Sequence, residues 1–556
     1  MNLETRQCQN CKIAFTIEPE DFVFYEKMDV PPPALCPQCR FERRCLFRNE
    51  TVLYSRTCAL CKKSVISMYH PKSRYTIYCE KCWDSDQWDP DTYAMDYDTT
   101  MSFFEQFSEL LQRVPKKTTY VTSAGLGPNI NSEYTNVAGA NKDCYFIFNG
   151  ANNENCFYMR GVKNSRDTGD AYFGIKLERS YETVNVQESA SIVWGQNVTG
   201  SYDSWFVRDG SGLSNCFGCV NVRHKSHHFL NEPLAKEEYE RRTSDIKGSY
   251  RKMEEFRKMF EEFSLKFPRR VNNNLKSTNV EGDYIFSSKN VSHSFEVAQA
   301  EDCKYIFSGK EEKDSYDTTG YGFQSELLLE CVGVGYSSRV LGTYWAENSQ
   351  NIAYSFALAN CQDCFGCDGI KKKQYAILNK VYPKDEYIQL RERIIAELIE
   401  KKLYGLFMPS EVAPFAYNET IGQDNAPLTK EEALQKGYRW EDELQMTTGK
   451  ETMGPEEIPD HIRDVQDSIT NEISVCIACR RNYRIISSEL AFYRAILVPI
   501  PRKCFYCRHG NRIERRGPMK MYDRTCDNCK KPIKTSYAPD RPEIVYCEQC
   551  YQNEVV

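Results

Sequence analysis

Eight Cys-x-x-Cys pairs punctuate the two ends of this 556-residue chain. Near the start are Cys8/Cys11, Cys36/Cys39, Cys58/Cys61 and Cys79/Cys82, and near the end Cys476/Cys479, Cys504/Cys507, Cys526/Cys529 and Cys547/Cys550. A two-residue gap lets one tight turn aim two sulfurs at one ion. Two such turns complete the tetrahedral four-thiolate shell that Zn2+ takes at about 2.3 Å per bond. Four thiolates leave no open coordination position, so the chemistry is structural and metal binding is coupled to folding. We group the pairs in order, first with second and third with fourth at each end, which gives four structural zinc ions. A cross-braced grouping, first with third and second with fourth, is the alternative pairing. An iron–sulfur cluster is the alternative occupant, against which stand the long, regular spacings.

Every pair recurs at an offset of 468 residues, as do Phe24-Tyr25 (Phe492-Tyr493), Tyr54 (Tyr522) and Tyr69 (Tyr537), so the chain is internally duplicated. Cys45 faces Ile513 in the second copy and is left out of the metal shell. The first half of the module, Cys8 to Arg44, resembles the bacterial "probable zinc-ribbon" family of treble-clef type. The matching features are the opening pair, Glu20-Asp21-Phe22, Phe24-Tyr25 and Cys36-Pro37-Gln38-Cys39-Arg40. The second copy departs from the pattern at Phe505, where the family has proline, without touching a ligand. The whole chain resembles multi-zinc-ribbon proteins of bacteria with reduced genomes, a resemblance that brings no activity with it.

A treble clef implies a helix starting at the second pair. On such a helix Arg40, Arg44 and Arg48 share one face, as do Arg508, Arg512 and Arg516 in the second copy, where Gly517-Pro518 supplies a stop. A stripe of this kind can follow a phosphate backbone, which makes these six arginines the candidate nucleic-acid contacts. The plainer reading is a soluble helix with arginine packed on tyrosine.

The elements between the modules read differently. From about residue 129 to 380, Asn- and Asp-led turns recur every 11 to 12 residues, as at Asn141, Asn153, Asn290 and Asn360, each followed by small and aromatic residues. This predicts a β-solenoid or stacked β-repeat body, with two units per coil of 22 to 24 residues; a β-sandwich is the alternative. The body is itself duplicated, since Cys216-Phe-Gly-Cys219 recurs as Cys364-Phe-Gly-Cys367. Cysteines inside stacked strands read as small buried hydrophobes, although these two motifs could also hold a metal or a redox pair. Amphipathic stripes follow each repeat (Tyr250, Met253, Phe256, Phe260; Tyr387, Leu390, Ile394, Leu398), and a shorter one (Phe103, Phe107, Leu110-Leu111) links the first module to the first repeat.

The expected order is thus a double zinc-ribbon module (1–97), a helical linker (98–128), two β-repeat domains each ending in a helix (129–268 and 269–405), an extended linker (406–468) and a second double module (469–556). The fold class is multidomain and mainly β, two double zinc-ribbon modules flanking a duplicated β-solenoid-like body with connecting amphipathic helices.

Composition bounds the function. The chain is 41% hydrophobic and 27% charged, enough to bury real cores. Its net charge of −6 is uneven: +4 from Met1 to Cys82, +8 from Cys476 to Val556 and therefore −18 between them. No signal peptide and no apolar run long enough to cross a bilayer are legible, and metal-ready thiols fit a reducing compartment, so the expectation is a soluble cytoplasmic protein with no membrane partner. Phosphate-loop, zinc-protease and nucleophile-elbow motifs are absent. Asp167, Asp170, Asp203 and Asp209 are the acids a polysaccharide-cleaving body could use, but nothing in the sequence makes them converge. The expected function is a non-catalytic, zinc-stabilised binding or scaffold protein. It would contact RNA or a ribonucleoprotein through its basic modules, and its acidic body is open to a protein partner. An enzyme with its site on the body, or a protein-only scaffold, is the alternative.

Overall fold

The structure is a computed structural model describing residues 3–120, 126–444 and 446–555; residues 121–125 of the expected 98–128 linker lie outside the described residues. The chain divides into two compact units, each discontinuous in sequence: Met1–Thr119 with Asn272–Leu444, and Tyr120–Val271 with Gln445–Val556. Each terminal cysteine module therefore shares a unit with the β-repeat farther from it along the chain.

Both bodies are mainly β, with large parallel sheets. Tyr145 pairs with Phe157, Ala190 with Tyr202 and Ser338 with Gln350, each twelve residues on, while Thr278 pairs with Lys289 at eleven and Glu312 with Ser325 at thirteen. A parallel neighbour twelve residues later means that the chain returns to the same register in twelve residues, half the 22 to 24 expected. Backbone hydrogen bonds follow: Tyr145 N donates to Cys156 O at 2.9 Å and Asn155 N to Lys142 O at 3.0 Å.

Within each circuit the side chains run in threes. Cys144, Ile147, Cys156, Met159 and Val162 belong to one buried core. The residue before each inward position is left-handed, as in Asp143 (φ 53°), Phe146 (56°), Asn152 (56°) and Asn155 (54°). Left-handed backbone is costly for most L-residues and mildest for Asn, Asp and Gly, which accounts for the recurrent Asn and Asp of the sequence. Bends recur every three residues, and the inward positions carry apolar or small residues such as Cys144, Ile147 and Met159. Thr168 Oγ1 donates to Arg166 O and Leu177 O at 2.9 Å. Cys144 Sγ makes the same two bonds, to Lys142 O at 3.2 Å and Asn153 O at 3.5 Å. The cysteines of both Cys-Phe-Gly-Cys motifs are likewise buried and directed at backbone carbonyls.

The glycine of each motif explains how a helix is seated. Gly218 and Gly366 have φ of 72° and 61°, and a Cβ there would come within 2.9 Å of the Phe256 ring and 2.6 Å of the Phe103 ring. Phe256 belongs to helix Tyr250–Ser264, on the first repeat. Phe103 belongs to helix Phe103–Arg113, which occupies the matching place on the second repeat. After each helix a Pro-basic-basic sequence adds a parallel strand to a cysteine module: Lys116 pairs with Ile77, and Arg269 with Val545. The stretch expected as an extended surface linker carries short helices, such as Lys430–Gln435, and buries Phe407, Met408 and Tyr417 completely or nearly so.

Candidate metal centres and their docking face

The pairs come together in order, as Cys8/Cys11/Cys36/Cys39, Cys58/Cys61/Cys79/Cys82, Cys476/Cys479/Cys504/Cys507 and Cys526/Cys529/Cys547/Cys550, all sulfurs of a group lying within 4.8 Å of one another. A tetrahedron with 2.3 Å metal–sulfur bonds has edges of roughly 3.8 Å. Sulfur–sulfur separations are 3.6 Å for Cys11–Cys36, 3.8 Å for Cys61–Cys79, 3.6 Å for Cys479–Cys504 and 3.7 Å for Cys529–Cys547. The donor set therefore fits one four-coordinate ion per group.

Local backbone geometry prepares each group for charge. Cys36 N donates to Cys8 Sγ at 3.3 Å, Cys79 N to Cys58 Sγ at 3.3 Å and Cys547 N to Cys526 Sγ at 3.2 Å. The residue after each first knuckle is a left-handed cation, namely Lys12, Lys62, Arg480 and Lys530, with φ of 62–63°. Cys36, Cys79 and Cys504 are the N-caps of helices Pro37–Cys45, Glu80–Trp83 and Phe505–Arg516, so helix dipoles face the thiolates.

From the first site of each module a helix leads to the body, and there the arginine expectation meets its correction. Arg40, Arg44, Arg48, Arg508, Arg512 and Arg516 are all buried. Arg44 Nη1 lies 2.9 Å from Asp317 Oδ1 and 2.7 Å from Glu330 Oε2, while Arg40 Nε reaches Asp317 Oδ2 at 3.0 Å. In the other unit Arg512 Nη1 lies 2.9 Å from Asp170 Oδ1 and 2.8 Å from Glu182 Oε2, and Arg508 Nε is 2.9 Å from Asp170 Oδ1. Arg40 stacks over Tyr305 and Arg508 over Tyr158. Arg48 lies beyond the helix end at Cys45 and bonds Glu50 at 2.6 Å, and Arg516 Nη1 bonds the Tyr172 hydroxyl at 2.9 Å. Guanidinium groups buried against carboxylates and tyrosines are out of reach of a phosphate. The two clamps match residue for residue, so the helices are docking elements.

The candidate acids are dispersed among other tasks. Asp170 is the centre of the second clamp, Asp167 accepts from Asn155 at 3.1 Å, and Asp209 accepts from Asn197 at 2.8 Å. Asp317, Glu330 and Glu182, the other halves of the clamps, carry no local motif. Their signal is duplication: Asp170 and Asp317, like Glu182 and Glu330, recur at almost the spacing of the two Cys-Phe-Gly-Cys motifs. Among the described residues no helix is long and apolar enough to cross a membrane.

No family model matches the chain, and no curated protein matches it in sequence. A crystal structure provisionally named as an acetyltransferase, from Desulfovibrio desulfuricans G20, is similar over 50% of this chain and 83% of its own, at 10% identity and a TM-score of 0.11, too low to define a shared fold.

Proposed function

We propose that this protein is a zinc-stabilised, non-catalytic binding scaffold of the cytoplasm. In this reading the terminal modules are treble-clef zinc ribbons and the two bodies are β-solenoids with one coil per twelve residues. The observation that carries it is the chain of contacts from metal site to body. Each first site fixes the start of a helix whose arginines lie between two buried carboxylates of the body, so the ion organises the docking face and has no open position for chemistry. Elemental mass spectrometry on protein purified without added metal tests it: four zinc ions per chain are expected, and iron or fewer ions would sink the reading.

Contact with RNA or a ribonucleoprotein is the second reading, carried by different residues from those expected. Lys62-Lys63 and Lys530-Lys531 follow the third Cys-x-x-Cys pair of each module and are exposed. Replacing all four by alanine is expected to abolish salt-dependent RNA binding; binding unchanged in that variant rules the reading out.

A further inference from the structure

The two units differ at one place where duplication would make them alike. On each body, left-handed residues one circuit apart stack into a ladder of amides and carboxylates. In the unit holding the first module, Asn279 Nδ2 bonds Asn290 Oδ1 at 3.0 Å and Asn290 Nδ2 bonds Asp302 Oδ1 at 2.8 Å. The next rung, Asp314, accepts from Lys27 Nζ at 3.0 Å. Lys27 ends the helix Pro19–Lys27.

In the other unit the ladder runs Asn131, Asp143, Asn155, Asp167, with Nδ2–Oδ1 distances of 2.6 Å at Asn131–Asp143 and 3.1 Å at Asn155–Asp167. The clamps fix the correspondence, since Asp167 precedes Asp170 as Asp314 precedes Asp317. Lys27, however, is matched by Ala495 at the end of helix Ser487–Ala495. With alanine there, a groove of about 550 Å³ stays open between ladder and helix, lined by the four ladder residues, Glu133, Phe157 and Phe492. Lys142 stands 4.0 Å from Asp143 but bonds Glu154 at 2.9 Å, and Arg179 lines the end of the groove beyond Asp167.

We propose that this groove binds a linear aliphatic polyamine, whose ammonium groups take on Asp143 and Asp167 the place that a lysine ammonium takes on Asp314. The volume is that of a small-molecule site. Asp143 and Asp167 are two rungs apart, about 9.5 Å at the ordinary spacing of paired strands, a length comparable to that between the terminal amines of a triamine. The Phe157 and Phe492 rings, 4.8 Å apart and edge-to-face, give the methylenes an apolar wall and the cations a π surface. Glu133 adds a third carboxylate, and Arg179 sets the limit of the cationic site at the other end.

Calorimetric titration of spermidine into the full-length, metal-loaded protein tests the proposal. Saturable binding to one site is expected. Ala495→Lys, which supplies the lysine that the other unit already has on an exposed last helical turn, should weaken it at least tenfold, as should the pair Asp143→Asn and Asp167→Asn. Asp314→Asn should leave it unchanged. No saturable binding by the unsubstituted protein, equal binding by Ala495→Lys, or loss only in Asp314→Asn overturns it. So does capture of a lysine-bearing peptide by a protein that ignores spermidine.

Discussion

Arg44 Nη1 sits between Glu330 Oε2 at 2.7 Å and Asp317 Oδ1 at 2.9 Å, all three side chains being 1% exposed. A charge so placed matters most when its partner is removed, because the desolvated charges left behind have no water. Arg44→Ala is expected to lower stability by about 3–5 kcal/mol, read from urea unfolding of the full chain, and Arg512→Ala by a similar amount. Arg44→Lys should recover only part, since a single ammonium cannot reproduce the guanidinium fork. A loss under about 1 kcal/mol, the size of an exposed pair, would show that the clamp is open in solution.

Lys116 and Asp368 form a second buried pair, 1% and 0% exposed, with the Lys116 ammonium over the Tyr75 and Phe356 rings. Burial pushes the Asp368 carboxyl up to about 7 against the opposing pull of Lys116, and lowers the Lys116 ammonium. Lys116→Met alone should therefore destabilise by about 3–5 kcal/mol, and adding Asp368→Val should restore most of that. A double-mutant cycle reads the coupling; additive losses would mean that the two side chains do not sense each other.

Glu312 gives stability a pH dependence. Its Oε2 accepts from Thr318 Oγ1 at 2.6 Å, Oε1 is buried, and burial lifts the carboxyl from 4.5 to about 8. Across that window the folded chain keeps a proton that the unfolded chain has released, so this group makes stability fall as pH rises from 4.5 towards about 8, and level off above. Glu312→Gln should flatten that part of the profile in thermal melts on either side of the window; an unchanged slope would assign it to other groups.

Metal removal should act unequally on the two sites of a module. Cys39→Ser breaks the site next to Arg40 and is expected to release the clamp, seen as faster proteolysis of the full chain together with loss of one ion. Cys79→Ser should also lose one ion while the clamp holds, because its helix Glu80–Trp83 carries none of the clamp arginines. Equal protease sensitivity in both variants would separate the metal from the docking.

What the sequence reveals of this molecule depends on range. Cysteine knuckles are local, so ligand spacing is legible in the chain. Helix stripes and stops are local too, and Gly517 ends its helix at φ 90° as the glycine predicts. The circuit length is misread because the inward period is three, matching neither a strand nor a helix, so only the Asn and Asp bends stand out. The arginine stripe is visible, but its partners are not: Arg44 and Glu330 are 286 residues apart. In retrospect the charge distribution holds the clue, since basic ends and an acidic middle are complementary within each unit.

The crossed pairing of modules and bodies has a consequence for synthesis. Arg44 leaves the ribosome 286 residues before Glu330, about 15–60 s earlier at roughly 5–20 residues per second. Throughout that interval the guanidinium groups of the first module lack the carboxylates they meet in the folded unit. The second module follows its body in the chain, so Arg512 emerges after Asp170 and Glu182, the carboxylates it meets. Two copies of one design thus spend very different times unpaired, and a chain truncated before Glu330 never leaves the first condition.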